Sequence, residues 1–192
     1  ERIDAEVKLP EGYHVELGGQ FESEQAASRT LLIASLMSIV VIFLLIYTEF
    51  KNAAQSAVIL LNLPLALIGG VFALLITSGE VSIPAIIGFI SLFGIATRNG
   101  MLLIGRYNNL RAEGGSLRES IIHGSLDRLN PILMTALTSA LALIPLAFRG
   151  DLPGNEIQSP MAKVILGGLL TSTFLNAFII PIVYELMNRK KK

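Results

Sequence analysis

Between Val81 and Gly105 the chain reads VSIPAIIGFISLFGIATRNGMLLIG, and Arg98 is the one charged residue in this stretch. A transmembrane helix needs about 20 mostly apolar residues to cross about 30 Å of hydrocarbon. The stretch is long enough and apolar enough to do so. It therefore predicts a transmembrane helix that carries an arginine inside the membrane.

Four further apolar runs resemble this one in length. The predicted spans are about 30–48, 56–78, 82–106, 129–148 and 162–186. Hydrophobic residues make up 52% of the 192 residues and charged residues 16%, whereas a soluble domain has about 25% charged residues. Five core helices in so short a soluble chain would leave too little polar sequence to cover them. We therefore predict an all-α membrane protein, a bundle of five transmembrane helices.

The segments outside the spans are polar. Residues 1–28 contain a strand-like piece and are predicted to be the end of an extracytoplasmic domain, which leaves 29–192 as the transmembrane domain. The sequence Ser116-x-x-Glu119 has the form of a capping box. It predicts a cytoplasmic surface helix over about 116–127, lying along the membrane face.

The formal net charge of zero conceals an uneven distribution. Basic residues flank alternate ends of the spans, and they include Lys51, Arg106 and Arg118 and the C-terminal run that begins at Arg189. By the positive-inside rule the N-terminus is outside and the C-terminus is cytoplasmic. A basic nucleic-acid-binding surface is excluded. The absence of cysteine excludes disulfides and thiol catalysis, and no set of metal ligands is predicted. A chain that starts outside, without a leader or an initial Met, is expected to be part of a longer protein.

Arg98 carries the strongest functional signal. It precedes Arg106 by eight residues, about 12 Å along a helix, which is too deep to reach the interface comfortably. An arginine near mid-membrane costs about 2.5–3.5 kcal/mol on insertion scales and usually finds a partner. No acid of this sequence lies at its depth, so we predict a carboxylate partner from outside this chain. Ser91 and Asn99 are possible neighbours of such a pair.

The fourth span has a second polar stripe. Arg128 and Thr135 are seven residues apart, two turns along one helix face, and Thr138 lies one turn further. The alternative is that Arg128 anchors the helix at the interface and the hydroxyls bond back to carbonyls of their own helix. In the second span, Pro64 lacks a backbone donor and predicts a kink.

Several motifs resemble the resistance-nodulation-division (RND) efflux permeases, and the likeness covers essentially the whole chain. Its GGQFES start and its EIQSPMA stretch look most like the heavy-metal efflux branch. The similar stretches are GGQFESEQAA (18–27), NLPLALIGG (62–70), GFISLFGIATRNGMLLI (88–104), RLNPILMTAL (128–137) and QSPMAKVILGGLLTST (158–173).

The resemblance implies the eighth to twelfth transmembrane helices of a homotrimeric permease in the bacterial inner membrane. Such a pump is driven by proton influx, needs no cofactor and works with a periplasmic adaptor and an outer-membrane channel. The N-terminal half of the same permease would supply the relay carboxylates. Arg98, Arg128 and Thr135 would then be their proton-relay partners. Arg98 is a departure, since the drug branch usually has lysine there and many metal pumps have an apolar residue.

Two other readings stay open. A related RND exporter of drugs, lipids or other organic compounds would have the same helices. A non-transporting membrane scaffold or receptor anchor would have no need of Arg98. An enzyme is disfavoured, because no HExxH, GxSxG or carboxylate pair lies within a span.

Overall fold

The computed structural model describes residues 20–77, 81–149, 154–155 and 157–189. All regular structure in these ranges is helical, which confirms the all-α prediction. The strand-like piece predicted in the N-terminal lead lies outside the described residues. The helices are α1 (Gln20–Phe50), α2 (Ala53–Leu60), α3 (Asn62–Thr77), α4 (Ile83–Ala112), α5 (Leu117–Phe148) and α6 (Gln158–Arg189).

Helix α1 begins ten residues before the predicted span. Its 31 residues correspond to about 46 Å at 1.5 Å per residue, more than the thickness of the hydrocarbon layer. The helix continues beyond the apolar run into residues 20–28, which the sequence predicts as part of the extracytoplasmic lead. The residues from Ser23 to Ala26 in this extension are exposed.

The second predicted span consists of two helices, α2 and α3, which meet at Leu61. Asn52 caps the first of them, since its side-chain oxygen accepts a hydrogen bond of 3.0 Å from the backbone N–H of Ala54. The interruption lies three residues before Pro64. A proline cannot donate to the carbonyl four residues earlier, here Leu60, and its ring crowds that carbonyl.

The segment 116–127 is the first part of α5 and not a separate surface helix. The predicted capping box is present: the Ser116 side chain accepts from the Glu119 N–H at 3.3 Å, and the Glu119 carboxylate accepts from the Ser116 N–H at 3.2 Å. Pro131 and Pro145 lie inside this helix without ending it. Each removes one backbone hydrogen bond, which a transmembrane helix tolerates.

Helix α6 occupies the centre of the bundle and packs against α3, α4 and α5. Its closest approach is to α3, as the small residues of the two spans predict. A Cβ atom placed on Gly167 would lie 2.5 Å from the Gly69 carbonyl oxygen and 2.5 Å from the Ala73 Cβ. Glycine is therefore required at Gly167 for the two backbones to come this near.

The five helical segments α1, α2–α3, α4, α5 and α6 are long and apolar enough to cross a membrane. Many large apolar side chains on their outer faces are exposed, among them Leu36 at 65% and Leu141 at 69%. In water such surfaces would be unstable, whereas lipid or further helices can cover them. The chain is a multi-pass membrane segment.

Candidate functional site

Arg98 lies midway along α4, on a face that the other described helices leave open. The exposed residues of this face recur every three or four positions, the spacing of one helical stripe. Gly94, one turn before Arg98, has no described atom within 4 Å of the position that a Cβ would occupy. The stripe consists of Ile87, Ser91, Gly94, Arg98 and Leu102.

The Arg98 guanidinium has no hydrogen bond or ion pair with any other described residue. Ser91 is on the same face, but its hydroxyl donates to the Ile87 carbonyl of its own helix at 3.0 Å. An unpaired guanidinium in the middle of a membrane span is costly. The residues that the structure describes therefore do not satisfy this group.

Asn99 and Thr97, the neighbours of Arg98, point into the bundle. The Asn99 side chain is buried, and its amide nitrogen has no hydrogen-bond partner among the described residues. The Thr97 hydroxyl is also buried without a hydrogen-bond partner among the described residues. Asn99 was predicted as a possible neighbour of the relay, and the structure places it on the inner side of α4, away from the open face.

Helix α5 carries the second predicted group. Arg128 is half-buried and forms no hydrogen bond or ion pair within the described part of the chain. The Thr135 hydroxyl donates to the Pro131 carbonyl at 2.8 Å, and the Thr138 hydroxyl donates to the Met134 carbonyl at 2.8 Å. The hydroxyls thus bond back to their own helix, as in the alternative reading. Each hydroxyl oxygen keeps its capacity to accept a hydrogen bond.

An ion pair that sequence reasoning missed joins α4 to α5. The Arg106 guanidinium contacts the Asp127 carboxylate at 2.7 Å through Nη2 and at 2.8 Å through Nε. The Glu113 carboxylate lies 3.9 Å from the same guanidinium. The sequence feature that could have predicted this pair is the presence of opposite charges at the facing ends of consecutive spans. The pair is a contact between the C-terminal part of α4 and the N-terminal part of α5.

An apolar groove of about 550 Å³ lies between α5 and α6. Ser125 and Thr173 contribute its only hydroxyl groups, and the other lining side chains are hydrocarbon or aromatic, such as Leu133 and Phe174. Metal cations need oxygen, nitrogen or sulfur ligands. No group of three His, Cys, Asp or Glu residues that could hold a metal exists in the described ranges. The groove is therefore suited to lipid tails or to another helix and not to a cation.

Comparison with known proteins identifies relatives over the whole length. The sequence pattern of the AcrB/AcrD/AcrF family matches residues 1–188. The nickel-cobalt-cadmium resistance protein NccA of Alcaligenes xylosoxydans xylosoxydans is 41% identical over 191 residues, which are 100% of this chain and 18% of NccA. The cobalt-zinc-cadmium resistance protein CzcA of Cupriavidus metallidurans is 38% identical over 188 residues, 98% of this chain and 18% of CzcA.

A solved structure gives the same result. The crystal structure of a heavy metal efflux pump (crystal form II) superposes with a TM-score of 0.84 at 38% identity, covering 98% of this chain and 19% of the pump chain. The present chain thus spans about a fifth of the length of the proteins that it matches. The matched range contains Arg98, Arg128 and Thr135, and the comparison assigns no role to them.

Proposed function

Because this chain belongs to the AcrB/AcrD/AcrF family, we propose that it forms part of the transmembrane domain of an inner-membrane permease that exports heavy-metal cations. Two relatives that match 100% and 98% of the chain are named for resistance to nickel, cobalt, cadmium or zinc. The similar solved structure is also a heavy metal efflux pump. These similarities support metal cations as the exported substrate class. Metal ligands would come from other parts of the permease.

The observation that carries the mechanism is the unpaired Arg98 on the open face of α4. A carboxylate from another segment of the permease would neutralise Arg98 in one state. When a proton enters from the outside and binds that carboxylate, the ion pair is lost and the helices can shift against each other. Export would follow from repetition of this cycle, with the proton gradient as the only energy source and no cofactor.

Arg128 and Thr135 would act as the second set of relay partners. Arg128 is half-buried without a counter-charge among the described residues, and the Thr135 oxygen can accept a hydrogen bond from a protonated carboxyl group. Thr138 and Ser91 would serve as polar neighbours, whereas Asn99, predicted as a third, lies on the inner side of α4 and away from Arg98's open face. The distribution of basic residues supports an N-terminal lead in the periplasm and a C-terminus in the cytoplasm.

The RND family resemblance supports an assembly in which three permease copies act with a periplasmic adaptor and an outer-membrane channel. Arg98 itself favours a second candidate substrate class. Because a basic residue at this position is usual in the drug-exporting branch, organic compounds are the second candidate for the exported substrate. Resistance profiles of a deletion strain separate the two, since only metal export predicts sensitivity to nickel, cobalt, zinc or cadmium without sensitivity to drugs or detergents.

The decisive experiment uses the full-length permease with Arg98→Ala, Arg98→Lys and the control Arg118→Ala. Arg118 is an exposed arginine near the start of α5. We expect Arg98→Ala to reduce metal resistance to that of the deletion strain, Arg98→Lys to retain part of it and Arg118→Ala to retain all of it. Trimer formation should be the same for all three. Full resistance in the Arg98→Ala strain would contradict the relay role of Arg98, because export would then proceed without it.

A further inference from the structure

Three asparagines on three different helices are buried in the core of the bundle. Asn62 on α3 is 1% exposed, Asn99 on α4 is 4% exposed and Asn176 on α6 is 1% exposed. The amide nitrogen of each has no hydrogen-bond partner among the described residues, and neither has the amide oxygen of Asn176. A buried polar group without a partner costs about 1–3 kcal/mol. Three such groups in one core therefore require an explanation.

The packing of α4 on α6 brings Asn99 and Asn176 to one level. The two helices are parallel, because Asn108 bonds to Tyr184 and, further along both helices, Arg111 bonds to Asn188. The partners are separated by 76 and 77 residues in the sequence. Asn99 and Asn176 have the same sequence separation and lie two to three turns earlier on their helices. They are therefore opposite each other.

The Asn62 side chain of α3 reaches the same contact between α4 and α6. A Cβ atom on Gly100 would collide with the amide nitrogen of Asn62 and would lie 3.5 Å from the Ile180 Cδ1. Gly100 follows Asn99 directly, and Ile180 lies one turn after Asn176 on α6. The Asn62 side chain therefore enters the contact between α4 and α6 beside the other two asparagines.

The interruption between α2 and α3 is next to Asn62 in the chain. Asn62 is the first residue of α3, directly after the break at Leu61. Pro64 cannot donate to the Leu60 carbonyl. Helix breaks at membrane depth are tolerated where the freed backbone groups are buried in protein or meet water.

We propose that internal water binds at this point, between Asn62, Asn99 and Asn176, and forms a hydrated joint at the break between α2 and α3. The three unpaired amide nitrogens are donors, so they need an acceptor, which a bare cation would not supply. An anion would need a cationic side chain, and Arg98, which precedes Asn99, is on the exposed face of α4 and not on its buried side. Water both accepts and donates, and buried water typically makes about three hydrogen bonds to such groups.

X-ray radiolytic labelling of the full-length permease in detergent, read by mass spectrometry, tests this directly. Hydroxyl radicals formed from bound water modify the side chains that the water touches, even where bulk solvent has no access. Ile59 and Ile180 line the site and are 0% and 1% exposed, and Val164 is 0% exposed but lies about three turns away on α6. We expect modification of Ile59 and Ile180 at least fivefold faster than that of Val164. Equal, near-zero rates at all three would overturn the proposal and indicate that the amides pair with each other in a dry core.

A double variant and its control provide a second test of the proposal. In Asn62→Leu/Asn176→Leu the polar groups are replaced by apolar ones of similar size, and we expect labelling of Ile59 and Ile180 to fall to the Val164 rate. Asn52→Leu, which removes an amide at the N-cap of α2, is the control and should leave their labelling unchanged. Persistent labelling in the double variant would contradict the assignment of the water to these asparagines. The wild-type measurement decides the proposal even if the double variant fails to fold, and neither arm depends on transport.

Discussion

The hydroxyl of Tyr184 donates a hydrogen bond of 2.7 Å to the side-chain oxygen of Asn108. The same ring lies 5.1 Å from the ring of Tyr107, whose hydroxyl is 2.6 Å from that of Ser125. Gln55 completes the group by exchanging two hydrogen bonds with Asn108, at 3.1 Å and 3.0 Å. Four helices, α2, α4, α5 and α6, are thus joined at one end of the bundle by neutral polar contacts.

Tyr184→Phe is expected to destabilise the full-length protein by about 1 kcal/mol, the usual worth of one neutral hydrogen bond. The ring remains, so its packing is unchanged, and the substitution removes the bond to Asn108 and the weaker interaction of the hydroxyl with Arg111. Thermal unfolding in detergent measures the effect. Tyr47→Phe is the matched control, because Tyr47 is 45% exposed and its hydroxyl has no described partner. Equal melting temperatures for Tyr184→Phe and wild type would show that the contact contributes nothing.

Gly167→Ala is expected to cost about 1–3 kcal/mol, the range for overpacking a close contact. The added methyl group would be 2.5 Å from the backbone oxygen of Gly69, so α3 and α6 must separate. Gly105→Ala is the control, since its Cβ would meet only the Phe50 ring, at 4.0 Å. The melting temperature should fall for the first variant alone, and an unaffected Gly167→Ala would disprove the close approach of these helices.

Asp127→Ala is expected to have a small effect that depends on salt. The Arg106 and Asp127 side chains are 30% and 47% exposed, and exposed ion pairs contribute about 0–1 kcal/mol, less at high ionic strength. A double-mutant cycle with Arg106→Ala, measured by thermal unfolding at low and high salt, isolates the pair. A coupling free energy that does not change with salt would contradict an electrostatic origin.

Thr135→Val tests the relay assignment separately from stability. The substitution keeps the shape and removes the hydroxyl that donates to the Pro131 carbonyl at 2.8 Å. We expect proton-driven metal uptake into inverted vesicles to fall at least tenfold, with little change in melting temperature. Thr77→Val is the control, because the Thr77 hydroxyl makes the equivalent bond to the Ala73 carbonyl at 2.7 Å at the end of α3. Full uptake by Thr135→Val would mean that the hydroxyl only bonds to its own helix.

Hydrophobic length predicted most of the secondary structure. Each apolar run of about 20 residues is helical, the second one with an interruption at Leu61, because a backbone in hydrocarbon must satisfy its own hydrogen bonds. The capping box at Ser116 was predicted from two residue types at the right spacing. The boundaries were less accurate, since polar residues before Arg29 extend α1 and no helix-ending residue separates 116–127 from the fourth span.

The sequence predicted that Arg98 is an intramembrane arginine with a carboxylate partner outside this chain. Its exposure on an open face of α4 is consistent with such a partner, whose existence stays a prediction. The role of Arg128 and Thr135 stays a prediction. The sequence predicted no role for Asn62 or Asn176, because a neutral amide barely changes the hydropathy of a long apolar run. Their importance became visible only when three such groups met at one level of the core.

The sequence by itself determined that the chain is a helical membrane segment, how many times it crosses and which family it resembles. These properties depend on the apolar length and on short motifs, both of which are local in the chain. Only the tertiary structure decided that Arg98 faces outward, that Arg106 pairs with Asp127 and that the buried asparagines converge. Contacts between helices depend on the rotation and register of each helix, and these are set by close packing of residues distant in the sequence, such as Gly69 against Gly167.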